Sequence, residues 1–131
     1  MLYTLSQLKE ILDGLGYNLG PDGLNGNHDN SLDMFTQAAI QELQLHYHLA
    51  PTGRLDTTTD QLVRQIIRNL LQNLNQVMDA NLPVNEFYGP RMVQAIKTFQ
   101  RQYGLPVTGV AGLMVRQKLE AIVHAQLRTP A

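Results

Sequence analysis

Four histidines, His28, His46, His48 and His124, are the side chains here best suited to a transition metal. Zinc needs three or four converging ligands. His46 and His48 stand two apart, and on one helix face neighbours lie three or four apart, so the pair diverges. No His-Glu-x-x-His occurs. The chain has no cysteine, which removes thiolate ligation, a thiol nucleophile and a disulfide scaffold together. Asp22, Asn25, Asn27, Asp29 and Asp33 could suit calcium, but they miss the Asp-x-Asp/Asn-x-Asp/Asn-Gly spacing and no glutamate closes the loop. Turn-making and capping account for them. Ser6 and Ser31 read as helix starts without a nucleophile elbow. Asp56 and Asp60 sit at a helix N-terminus, where negative charge is favourable without any enzymatic role. No catalytic residue, metal or cofactor is expected, and no enzymatic activity.

Cationic chemistry concentrates late in the chain. Lys97 and Arg101 lie four apart on one helix face, with Arg91 and Arg116 as neighbours. Such a stripe can contact phosphates. A net charge of −1 with ten basic residues reads instead as a solvated helix face, and no nucleic acid is expected. The near-neutral total hides an asymmetry. Residues 1–62 carry Lys9 and Arg54 against eight acidic side chains, a balance of −6. Residues 87–131 carry six basic side chains against Glu120 alone, a balance of +5. Ends of opposite sign can attract each other or separate partners.

These side chains must be held by a core. With 131 residues, 44% hydrophobic and 16% charged, the chain can bury one ordinary core or two very small ones. No apolar run approaches the ~20 residues that cross a bilayer, so no membrane insertion is expected. The opening Met1-Leu2-Tyr3-Thr4-Leu5 has no basic n-region. As the chain stands this predicts a cytoplasmic location, or an extracellular or periplasmic one if a signal was trimmed.

Leu5, Leu8, Ile11, Leu12 and Leu15 predict a first helix over about 6–15. Thr4 or Ser6 would cap it, and Gly14 and Gly16 would end it. A Gly/Asn/Asp/Pro-rich loop follows over 18–30. The second helix should start near Asn30 or Ser31 and reach Tyr47, burying Phe35, Ala39, Ile40, Leu43 and Tyr47. After Pro51 and Gly53, the pattern from Leu62 to Met78 predicts one long helix over about 57–80. It would begin at Asp56 or Thr57, with Thr57-Thr58-Thr59-Asp60 offering a cap and a carboxylate three residues on. Pro90 suits the first turn of a fourth helix reaching Tyr103, and Gly104 and Pro106 stop it. A last helix runs over about 111–127, with Leu113, Val115, Leu119, Ile122 and Val123 inward.

One phrase occurs twice. Ala39-Ile40-Gln41-Glu42-Leu43-Gln44, Tyr47-His48-Leu49 and Thr52-Gly53 return 56 residues later as Ala95-Ile96-Lys97-Thr98-Phe99-Gln100, Tyr103-Gly104-Leu105 and Thr108-Gly109. Upstream, Leu8, Ile11, Leu15 and Leu19 match Leu71, Leu74, Met78 and Leu82 at an offset of 63. The difference of seven residues is a loop insertion in the first copy, within 27–33. The fold class is therefore all-α: two tandem three-helix repeats, 1–66 and 67–131, sharing a long central helix.

At these residues the chain resembles the peptidoglycan-binding-like domain. The first copy carries Leu15-Gly16-Tyr17, Asp22-Gly23-Leu24-Asn25-Gly26 and the helix ending in Leu43-Gln44. The second carries Phe87-Tyr88-Gly89, the helix ending in Phe99-Gln100, and Gly104-Leu105. Departures are Asn85-Glu86 for Asp-Gly, Met92 for a threonine and His48 for a glycine. The resemblance implies binding without catalysis, on a muropeptide or glycan strand of the cell wall. It places a groove between the opening loop and second helix of each copy. Tyr17, Asp22, Asn25 and Asn27 are the candidates in the first copy, and Tyr88, Arg91 and Gln94 in the second. Tyrosine suits such contact through its flat apolar face and hydroxyl; both tyrosines could equally pack beneath their loops. A second expectation keeps the fold and changes the ligand: an intracellular adaptor with a protein partner. The oligomeric state stays open.

Overall fold

A computed structural model describes residues 2–19 and 31–128. Its elements are helices α1 (Leu5–Gly14), α2 (Met34–His46), α3 (Thr57–Met78), α4 (Pro90–Gln102) and α5 (Leu113–Arg128). Among the described residues there is no strand. The chain is all-α, and α2 and α4 begin 56 residues apart, as do α3 and α5. The 22 residues of α3 run without a break. The helix thus closes the first three-helix unit and opens the second, and the division at residues 66 and 67 falls inside it.

Local chemistry sets most helix ends. Thr4 caps α1 reciprocally: its hydroxyl accepts from Gln7 N at 3.1 Å, and its own N–H donates to Gln7 Oε1 at 2.9 Å. Asp33 caps α2, accepting from Thr36 N at 2.7 Å and from the Thr36 hydroxyl at 2.8 Å. The helix therefore starts after Asp33 rather than at Asn30 or Ser31, and Thr36 turns inward where Phe35 was expected. Phe35 is exposed, and Tyr47 is half-buried. Asp56, not the threonine run, caps α3 by accepting from Thr59 N at 2.8 Å. These hydrogen bonds, backbone first, hold the Asp33 and Asp56 carboxyls below the usual carboxylate range. Gly89 precedes α4 without a side-chain cap, and Pro90 takes the first turn, where its missing N–H costs nothing.

Gly16 takes the left-handed backbone after α1 (φ +90°), but Gly14 stays helical. A Cβ at Gly14 would come within 2.7 Å of the Tyr88 ring, so this position serves close packing rather than helix termination. The core runs through all five helices, with Leu8, Leu12, Leu43, Ile67, Leu74 and Phe99 fully enclosed. Leu113, expected inward, is exposed at the first position of α5.

The glutamine that ends each copy of the repeated phrase fastens the following turn. Gln44 is fully buried; its Oε1 accepts from Gly53 N at 3.0 Å, and its Nε2 donates to the Thr52 and Thr59 hydroxyls. Gln100 does the same: Oε1 accepts from Thr108 N and Gly109 N at 2.9 and 3.0 Å, and Nε2 donates to the Thr108 hydroxyl. One carboxamide supplies both donor and acceptor to a backbone turn, which few other side chains can do.

Helix α1 straps the two copies together. At its start, Tyr3 N donates to Asp60 Oδ1 of α3 at 2.8 Å, and the Tyr3 hydroxyl donates to the Glu86 carbonyl. Past its end, Arg116 of α5 donates to Leu15 O at 3.0 Å, and Ala111 N donates to Gly14 O at 2.8 Å. A cation at a helix C-terminus meets the partial negative charge of its open carbonyls.

Candidate ligand-binding site

Three of the seven expected contact residues, Asp22, Asn25 and Asn27, lie outside the described residues. The other four separate into two packed tyrosines and two surface side chains. Tyr17 follows α1 and is 3% exposed. Its hydroxyl shares a 2.7 Å hydrogen bond with His46 Nδ1 and accepts from Arg116 Nη2 at 3.2 Å. Burial pushes its pKa up against the opposing Arg116 charge. Tyr88 is half-buried with its ring on Gly14, and its hydroxyl donates to Gly109 O at 2.7 Å. Burial raises its pKa too. Both hydroxyls are thus engaged inside the protein, and both rings pack between the copies.

Arg91 and Gln94 stay exposed on the first turns of α4. They come together along an open groove of about 490 Å³, with Met78, Ala80, Leu82 and Thr98 beside them. Arg91 Nη2 donates to Asn81 O at 3.3 Å, which steadies the guanidinium without hiding it. The groove lies between the end of α3 and α4, and no residue of the 85–89 loop lines it. Its walls are apolar and its rim carries one cation and one amide.

A second depression of about 250 Å³ lies where the copies meet. The end of α2 brings His46, α3 brings Asn69 and Asn73, and α5 brings Arg116, Gln117 and Glu120. In the sequence His46 reads only as a metal candidate and Arg116 only as a neighbour of a cationic stripe; Asn69, Asn73, Gln117 and Glu120 carry no ligand signal. They are spread over three helices from position 46 to position 120, so no single-helix period groups them. The one available signal was a comparison of copies: Asp60 and Arg64 become Arg116 and Glu120 56 residues later.

A third groove, about 830 Å³ and open, is apolar, lined by Leu105, Pro106, Val110, Leu113, Met114 and Val115. Met114 is 80% exposed. The corresponding positions in the first copy are Leu49, Ala50, Arg54, Thr57, Thr58 and Thr59. The fold is therefore built without apolar side chains at most of these places, and their presence in the second copy answers to something else.

Among the described residues no group of histidines and carboxylates could hold a metal ion, and no helix is long and apolar enough to cross a membrane. The family model described as "Putative peptidoglycan binding domain" matches residues 4–63 and, a second time, residues 60–119. No curated protein and no solved structure matches the chain.

Proposed function

Because this chain belongs, twice over, to the peptidoglycan binding domain family, we propose that it is a non-catalytic module that binds cell-wall muropeptide or glycan. The observation carrying this reading is the double match, joined to the Arg91–Gln94 groove. An apolar floor takes the carbon skeleton of a sugar or peptide, while the guanidinium and the carboxamide direct hydrogen bonds at its polar edge. The test is co-sedimentation with purified peptidoglycan. Retention at low salt is the expected result, falling about ten-fold in an Arg91→Ala/Gln94→Ala double variant whose melting curve is unchanged. Absence of retention by folded protein overturns the reading.

The apolar groove beside Met114 favours a second reading, an adaptor that keeps the fold and binds a protein. Lys118 lines this groove and Lys97 packs over neighbouring Gly109. Neither forms an ion pair among the described residues. The fitting partner is an apolar segment flanked by acidic residues. Capture of such a partner, weakened by salt and abolished by Met114→Glu, supports it. Cell fractionation separates the readings, since the first requires the chain to reach the wall.

A further inference from the structure

Helices α3 and α5 begin alike but with their charges exchanged. Asp60 and Arg64 occupy one turn of α3; Arg116 and Glu120 occupy the same turn of α5. A helix sets such residues about 5–6 Å apart between Cβ atoms. In α3 the pair closes, with Arg64 Nε donating to Asp60 Oδ2 at 2.7 Å. In α5 it stays open. Arg116 turns inward and is 7% exposed. Its Nη1 donates to Leu15 O and Ala111 O, and its Nη2 to the Tyr17 hydroxyl. Its Nε is buried and, among the described residues, has no acceptor. Glu120 remains exposed and, among the described residues, forms no hydrogen bond or ion pair.

Both halves of this unmade ion pair line the 250 Å³ cleft between the copies. Asn73 and Gln117 line it too, and their amides find no partner among the described residues. A buried guanidinium with no counter-ion among the described residues is costly, and an external anion offsets that cost. The cleft is smaller than the roughly 300–1,000 Å³ that suits a drug-sized ligand. It has room for one residue or head group, not a length of polymer.

We infer that this cleft takes an α-amino-acid head group. The ammonium pairs with Glu120, the carboxylate lies in the field of Arg116, and the Asn73 and Gln117 amides bond the polar edges. The same chemistry occurs in a free amino acid and in the peptide portion of a wall fragment. For the second source, the inference rests on the function proposed above.

The test is an NMR titration of the full chain, following the side-chain amides of Asn73 and Gln117. The probes are alanine, N-acetylalanine (no ammonium), alaninamide (no carboxylate) and a soluble wall stem peptide. Alanine or the stem peptide is expected to shift both amides saturably. The blocked alanines should bind at least ten-fold more weakly than alanine. Glu120→Gln should weaken the amine-bearing ligand at least ten-fold, and Asn73→Leu should abolish the response of the Gln117 amide. Neither replaced side chain bonds within the described fold, so both variants should melt as the parent does. A response to the stem peptide alone, lost in Glu120→Gln, supports the inference and assigns the wall as source. Alanine binding without retention on peptidoglycan supports it while removing the wall function. Silence from all probes, an equal response to the blocked alanines, or indifference to Glu120→Gln overturns it.

Discussion

In the first copy, Gln44 holds a turn beside Thr52 and Gly53; in the second, Gln100 holds a turn beside Thr108 and Gly109. The geometry is repeated nearly bond for bond. The helix starts are not. The first copy caps α2 and α3 with Asp33 and Asp56, whereas α4 follows Gly89 with no side-chain bond. The helix stop after α2 uses His48 at φ +62°, and the stop after α4 uses Gly104 at φ +69°. The glutamine-held turn has the same buried geometry in both copies, because an unfilled turn N–H is expensive to enclose. Exposed ends have diverged, because water can serve either arrangement. The packing also joins what the repeat would separate: Gly14 and Leu15 of the first copy are bonded by Ala111 and Arg116 of the second.

Loss of the shared glutamine should do the most damage to either copy. Gln44→Leu and Gln100→Leu should each cost about 3–5 kcal/mol, because at least two buried turn groups lose their partner at about 1–3 kcal/mol apiece. Urea unfolding measures this. Both variants should unfold in one cooperative transition, since α3 belongs to both units and α1 bridges them. Two separated transitions would show the copies to be independent.

A smaller effect tests the seam. Gly14→Ala places a methyl against the Tyr88 ring and should cost about 2 kcal/mol by overpacking, despite alanine's better helix propensity. Pairing it with Tyr88→Leu should recover part of the loss, a coupling readable in a double-mutant cycle.

The caps predict an acid response that originates in the first copy. Asp33 and Asp56 have folded pKa values below their unfolded ones. Their contribution is present above the unfolded value of about 3.9 and is lost as pH falls through the lower folded values. Asp56→Asn keeps a capping side chain and removes its titration; Asp33 is left in place because its carboxylate also pairs with the buried Lys9 at 3.7 Å. Stability at neutral pH should change by less than about 1 kcal/mol, while melting temperature should depend less steeply on pH below about 4. An unchanged slope would refute the assignment. Smallest of all, His48→Gly should stabilise by roughly 0.5 kcal/mol, left-handed strain relieved minus the added chain entropy. Gly104→His should destabilise by about 1 kcal/mol. Thermal melts of the two should move in opposite directions.

Much of this architecture was legible before any coordinates. Leucine and isoleucine at helical spacing predicted α1 and the unbroken α3, and the constant offset of 56 predicted that α2 and α4 would correspond. Such features rest on interactions within a few residues, which a linear pattern records. The error at α2 was local: Asn30 and Ser31 are good caps, but Asp33 sits in register with Thr36, whose methyl and hydroxyl could turn inward while Phe35 could not. Among the expected contact residues, Arg91 and Gln94 fell together along a groove, because they share a helix and a turn. Tyr17 was placed by distant partners, His46 and Arg116, that no neighbouring residue announces.

Helix positions, the duplication and the opposite charge of the two ends follow from the linear pattern of residues alone. Tertiary structure decided whether Arg116 would pair with Glu120 or cross to Leu15, and therefore whether a polar cleft would open between the copies. The reason is range. Helix and turn formation is settled within about one turn of chain. A guanidinium with five donors goes to whichever acceptors packing brings near, here a carbonyl 101 residues away.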